Sequence, residues 1–413
     1  MTRDQVPLRR LFSSVTGGAW GADPENGEAV LPCVRGTDFD YTNLRTDLSR
    51  APLRGFSQAE IAARAAKRGD LLIEKSGGGE QQPVGRVVLH DLDEPVMPTN
   101  FAGRLRPAPM TDSRFACYLL ASLYSDGRTR ATIKQTTGIQ NLDLDALLSF
   151  RVLRPNLGEQ RAIADYLDAE TARIDALIAK KRQMAELLAE RAQVELSRLV
   201  IPNKCEMAHL RYFATIQSGI TVDAGRSLGS DAMTRPYLRV ANVQAGRLDL
   251  TEVTHIRVSA ALAAHSTLHR NDVLMTEGGD IDKLGRGTVW DGELEDCLHQ
   301  NHIFAVRPDS RRLDSWYLAL ITQSNHARVY FESTGVQSTN LASTSSTKIL
   351  GLPVPVIPLR VQREIVAQWK QRSAHILAMR LSLTEQITLL DEHRQALTTA
   401  AVTGELDIAK VAA

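Results

Sequence analysis

The stretch RPNLGEQRAIADYLDAETARIDALIAKKRQMAELLAERAQ, Arg154 to Gln193, decides how the rest of the chain is read. After Gly158 it holds neither glycine nor proline, the residues that most often interrupt a helix. Its apolar residues Ile163, Leu167, Ile174, Leu177, Met184 and Leu188 recur at spacings of three, four or seven. That spacing lays one narrow apolar stripe along an otherwise polar helix. A second stretch, IPLRVQREIVAQWKQRSAHILAMRLSLTEQITLLDEHRQAL, Ile357 to Leu397, repeats the pattern with Ile365, Trp369, Ile376, Met379, Leu383, Leu390 and Leu397. Two long helices of equal length and shared register predict that each packs on the other, as in a coiled coil. The seam expected from this reading is Ile163, Leu167, Ile174, Leu177 and Leu188 against Ile365, Trp369, Ile376, Leu383, Leu390 and Leu397. Polar interruptions at Glu170, Lys181, Arg191, Arg372 and His393 weaken that seam but fix its alignment.

The repeat extends beyond the helices. Shifted by about 202 residues, the sequence meets itself: Leu8 falls on Leu210, Arg9 on Arg211, Gly17 on Gly219, Asp70 on Asp272, Leu72 on Leu274 and Gln160 on Gln362. A period this long marks a duplicated domain. The boundaries are 1–154 for the first globular part, 155–203 for the central helix, 204–356 for the second globular part and 357–413 for the last helix and tail. Within the globular parts, RVVLHDL and YLRVANV read as strands, and Ser113–Asp126 and Ser315–Glu332 as single helices. Each part is therefore an α+β domain with a small β-sheet. Two helices of roughly forty residues, each about 60 Å long, join the domains as an antiparallel pair and act as a spacer.

Composition excludes several classes. The 413 residues carry a net charge of +1, with 43% hydrophobic and 23% charged residues, which suits a multi-domain globular chain. There is no signal-peptide pattern and no apolar run long enough to span a membrane, so a cytoplasmic protein is expected. The four cysteines are scattered and form no CxxC pair. No segment has the strong basic surplus usual in nucleic-acid binders. No P-loop, GxGxxG or base-methylation motif is present, and the chain reads as non-catalytic. Cys297, His299 and His302 lack the second cluster that would complete a zinc site, so no metal is assigned.

The globular parts do carry flexible, cation-bearing loops. Lys75, Ser76, Gly77 and Gly78 lie beside one another, with Arg86 downstream, and Gly278, Lys283 and Arg286 form the corresponding set. Glycine lets backbone amides approach a phosphate, and Lys or Arg neutralises it. Arg130, Lys134 and Gln140 in the first part, and Arg239, Asn242 and Gln337 in the second, add side chains able to bond base edges. Any one of these loops by itself equally suits a plain surface hairpin.

The segments GEQRAIADYLDAETARIDALI and LDEHRQALTTAAVTGELDI resemble the helices of type I restriction-modification specificity subunits. In that family a helix follows a Pro-x-x-x-Glu-Gln element, matched by Pro155, Glu159 and Gln160. The second copy keeps Pro358 and Gln362 but has Val361 where the glutamate stands. Val402, Thr403 and Gly404 match the family's terminal Val-Thr-Gly. The order domain, helix, domain, helix covers the whole chain. The resemblance implies two target-recognition domains, each reading one half of a split double-stranded DNA sequence. It implies helices that dock modification (methyltransferase) subunits, usually two, which supply S-adenosylmethionine; this chain itself binds no cofactor. A restriction (translocase) subunit can join. Because the two loop sets differ, the half-sites should differ too. The competing reading is a protein-only adaptor or oligomerisation scaffold, which the neutral charge and the helices suit.

Overall fold

The computed structural model describes residues 5–136, 138–221, 231–279, 284–337 and 342–408. Two long helices, Leu157–Val200 and Leu359–Thr403, dominate it. The chain forms two compact units: residues 1–181 with 385–413, and residues 182–384.

The first unit is built on a six-stranded sheet, in the order Phe12–Gly17, Ala102–Pro107, Leu71–Glu74, Val87–Leu89, Arg45–Thr46, Phe39–Asp40. Its core gathers Leu8, Leu11, Leu71, Ile73, Leu105, Phe115 and Leu119, and adds Ile163 and Leu167 from the first long helix and Ala401 and Val402 from the second. Burying a side chain such as Leu167 stabilises by about 1.5–3 kcal/mol, so each long helix is held by its globular part. The second unit repeats the plan with Ala214–Ser218, Ile303–Pro308, Val273–Thr276 and Gly287–Val289. There Leu196, Val200, Ile365 and Val366 bring both long helices into a core with Val273, Val306, Tyr317 and Phe331.

The duplication holds atom by atom. Arg106 grips Asp70 through two bonds of 2.9 and 2.7 Å, and Arg307 grips Asp272 through two of 2.7 Å. The edge strand Gln5–Pro7 pairs with Arg151–Leu153, and Met207–His209 pairs with Pro353–Pro355. Gln160 and Gln362, both buried, make the same three bonds. Each accepts from the backbone amide of the aspartate capping a short helix, Asp112 at 2.9 Å and Asp314 at 2.8 Å. Each then donates to two carbonyls, Pro155 and Met110 in the first unit, Ile357 and Arg312 in the second. The glutamine thus pins the start of a long helix to its globular part.

Within each unit the long helices run antiparallel. In the first, Arg394 reaches Asp175 at 3.0 Å and Lys181 reaches Gln386 at 2.5 Å, so the partner number falls as the residue number rises. In the second, Arg372 pairs with Glu195. The chain is α+β: a duplicated domain with small sheets, its two long helices forming an antiparallel coiled coil.

Three expectations need correction. Leu177 is 42% exposed and lies off the seam, because the stripe runs through Thr171, Ile174, Ile178, Lys181 and Ala185, with Ile178 buried in its stead. Met184 is exposed for the same reason. Ile163, Leu167, Ile174, Ile365 and Leu383 are buried, and Leu188, Trp369, Ile376, Leu390 and Leu397 half-buried. Secondly, Ser315–Glu332 is two helices, Ser315–Thr322 and Asn325–Thr334. Ser324 ends the first by bonding the Ile321 carbonyl and caps the second by accepting from the Ala327 amide, a serine competing with the helix for backbone groups. Thirdly, Gly219 corresponds to Gly18 and not to Gly17. A Cβ on Gly18 would strike the carbonyls of Pro98 and Thr99, and one on Gly219 those of His299 and Gln300.

Among the described residues no helix is long and apolar enough to cross a membrane. All four cysteines are free, with Cys33, Cys117 and Cys297 buried.

Candidate nucleic-acid interface

The Gly-rich segment of the first unit leaves the main sheet at Glu74 and enters a small three-stranded sheet, Ile133–Thr136, Ile139–Leu142 and Ser76–Gly77. Gly77 and Gly78 take φ values of +112° and +63°, a region that side chains disfavour, so the sharp turn needs glycine at both. Ser76 donates to Asn141 at 2.6 Å and ties the segment to the hairpin. The second unit has the equivalent sheet, Val336–Gln337, Ala342–Ser343 and Gly278–Gly279.

Strand alternation decides which hairpin side chains face outward. Ile139 and Asn141 are exposed, whereas Gln140 is buried and accepts the Val84 amide at 3.2 Å. Gln140, expected to read a base, is therefore a strut of the loop. Asn242 is corrected likewise. It is buried, accepts the Arg239 amide and donates to the Asp249 and Glu252 carbonyls, all at 2.8 Å, closing a turn on itself. Arg86 also acts inwardly. Its guanidinium lies 3.7 Å from the Tyr41 ring centre and 3.5 Å from Glu74, and it donates to Gln82 at 3.1 Å. Burial and the bond to Glu74 push the Tyr41 phenol upward, so this ring stays a neutral donor.

The remaining cations differ in exposure. Arg130 and Arg239 are exposed. Lys134 is exposed and bonded to Asp143 at 2.7 Å, an ion pair that raises the ammonium and lowers the carboxyl from their ordinary values. Such a surface pair exchanges readily for a phosphate partner. Lys75 is half-buried, and Arg286 is half-buried beside strand Gly287–Val289. Gly278 pairs with Ser343, and Gln337 pairs with Ala342 on the other side of that central strand. Lys283 lies outside the described residues.

Sequence reasoning missed Phe101, which is 51% exposed beside Lys75, and the pair Glu277–His302, bonded at 2.6 Å in the corresponding place. Only the fold brings residues 277 and 302 together; the sequence signal was the alignment of TNFAGRLRP with QNHIFAVRP. His299 and Cys297 are buried, and burial lowers the imidazole and pushes the thiol up to about 12. Among the described residues no group of three metal-ligating side chains converges.

A cavity of about 410 Å³ in the first unit lies against both long helices, lined by Tyr41, Arg45, Tyr118, Asp168, Asp175 and Arg394 among others. Its charges satisfy one another: Arg394 with Asp175, Arg45 with Asp91 at 2.9 Å, and Tyr118 donating to Asp168 at 2.7 Å. The second unit lacks the Arg394–Asp175 pair: Ala192 and Leu377 stand at those places.

Comparison with known proteins bears on this arrangement. Residues 55–187 match the family described as the type I restriction modification DNA specificity domain. The StySPI specificity subunit of Salmonella potsdam is 22% identical over 349 residues, 82% of this chain and 74% of that protein. The EcoKI specificity subunit of Escherichia coli strain K12 is 23% identical over 353 residues, covering 82% and 75%. Family model, curated relatives and solved structures all indicate a type I restriction-modification specificity subunit. Solved structures share the fold across the full length. One, described as the structural basis of complex assembly and conformational transition of the type I R-M system, gives a TM-score of 0.72 at 16% identity, covering 98% of both chains. The HsdS subunit of Thermoanaerobacter tengcongensis gives 0.56 at 16% identity, covering 98% of this chain and 97% of that one. The chain carries its two sheet-and-hairpin loci at matching positions in two copies of one domain.

Proposed function

We propose that this specificity subunit reads a bipartite, asymmetric duplex DNA target, each unit contacting one half-site through its Gly-rich segment and hairpin. The observation that carries the reading is the combination of conserved backbone with diverged surface. The two loci superpose in hydrogen-bond register, yet present Ser76, Lys134 and Asn141 in one and Glu277, His302 and Arg286 in the other. A duplicated fold with one purpose and two different surfaces fits two different half-sites.

The long helices set the gap between the half-sites and dock methyltransferase subunits, two per chain. Met184, Leu187 and Val194 leave a row of exposed apolar side chains on the first helix, and Leu377 and Leu381 do so on the second. Such rows suit partner helices more than water. The chain supplies no chemistry of its own. S-adenosylmethionine would be held by the docked methyltransferase, which flips the target base to reach it, and a restriction subunit would join the same assembly in the cytoplasm. The near-neutral charge fits if those partners share the phosphate contacts. A protein-only scaffold would leave the two diverged sheet-and-hairpin loci without a purpose.

The test is modification-sensitive sequencing of DNA from cells expressing the methyltransferase subunit with and without this chain. The expected result is a methylated two-part motif with a fixed gap that appears only when the chain is present. A motif independent of the chain would refute the reading.

A further inference from the structure

The two units place opposite chemistry at one structural position. In the first, the Lys75 amide donates to the Phe101 carbonyl at 2.7 Å, and the Lys75 carbonyl accepts from Leu142 at 2.7 Å. In the second, the Glu277 amide donates to the His302 carbonyl at 2.9 Å, and the Glu277 carbonyl accepts from Thr344 at 2.8 Å. The backbone is the same; a lysine beside an exposed phenylalanine is replaced by a carboxylate bonded to an imidazole at 2.6 Å.

The surroundings are matched to each pair. Gly17 and Gly103 face each other across adjacent strands, and the Lys75 stem lies over them: a Cβ on Gly103 would meet its Cδ at 2.9 Å, and one on Gly17 its Nζ at 3.1 Å. The second unit has Ser218 and Phe304 at this cross-strand position, with Phe304 buried. The glycine pair thus makes room for a lysine that the second unit does not have. Among the described residues no carboxylate pairs with Lys75.

The geometry points to these paired positions, 75/101 and 277/302, as the residues that set which base edge each unit accepts; this rests on the reading that each unit contacts a half-site. Lys75 brings only N–H donors, which fit the O6 and N7 acceptors of guanine, and Phe101 offers apolar surface to the neighbouring base. Glu277 brings only acceptors, held in orientation by His302. A carboxylate is repelled by phosphates, so at a nucleic-acid face it fits an amino-bearing edge, the N4 group of cytosine.

The experiment uses the full complex with methyltransferase subunits, acting on a DNA pool randomised through both half-sites. Lys75→Met keeps the straight stem on the glycine pair and removes the charge; Glu277→Gln keeps shape and adds a donor. Each variant is expected to lower discrimination at one base pair of one half-site by roughly tenfold to a hundredfold, leaving the other half-site as it was. Unchanged preference in both halves for both variants would overturn the assignment. So would a loss spread evenly over every sequence in the pool, the mark of a merely structural role. A wild-type complex with no chain-dependent motif would instead refute the half-site reading beneath it.

Discussion

Gln160 and Gln362 do more for this fold than their short sequence signature suggests. Each is a buried amide whose oxygen and nitrogen are all bonded to backbone. Truncation to alanine leaves one amide and two carbonyls unpaired in a dry site, at a cost of about 1–3 kcal/mol for each group left unsatisfied. Gln160→Ala is therefore expected to lower stability by about 2 kcal/mol or more, read as a shift in denaturation midpoint, and Gln362→Ala to match it. Histidine gives a second residue-scale test. His90 and His299 are fully buried, and burial lowers both from the ordinary histidine value. The unfolded chain then binds more protons than the native one as pH falls below about 6.5, so stability is whole above that value and lost beneath it. The expected slope is at most about 1.4 kcal/mol per pH unit for each ring. Thermal melts between pH 7.5 and 5.5 should show the loss, and His90→Gln, whose ring bonds Thr46 and the Glu94 carbonyl, should flatten part of it.

At the scale of elements, the long helices were legible because their stripes repeat over many turns and neither glycine nor proline breaks them. The seam's exact face was less so. Leu177 and Ile178 are adjacent apolar residues, and only packing decides that Ile178 turns inward. Ile178→Asp is accordingly expected to destabilise by several kcal/mol through a buried unpaired charge, whereas Leu177→Asp should leave the melting point within about 1 °C. Equal effects would mean that the seam runs elsewhere. The exposed row carries its own expectation: Met184→Asp with Leu187→Asp should keep the fold and weaken association with methyltransferase subunits, measured by co-purification. The break at Ser324 and the inward turn of Gln140 were illegible for a shared reason. A short polar side chain bonds whichever backbone group tertiary structure brings near, and the local sequence does not say which.

For the whole molecule, the duplication was the most informative feature of the sequence, and the structure extends it to individual bonds such as Arg106–Asp70 and Arg307–Asp272. Charge was the least informative, since a net +1 hides where single lysines stand. The diverged pairs, Lys75–Phe101 and Glu277–His302, lie far apart in the chain and meet only through sheet register. If each unit reads its own half of the target, duplicating one unit must duplicate its half-site. Replacing residues 209–352 with residues 7–150, the matching span of the first unit, gives a chain with two identical surfaces. Sequencing the methylated DNA it directs tests the claim most directly. The expected result is a symmetric motif, the first half-site repeated in inverted orientation across the original gap; persistence of the original asymmetric motif would refute independent reading by the two units.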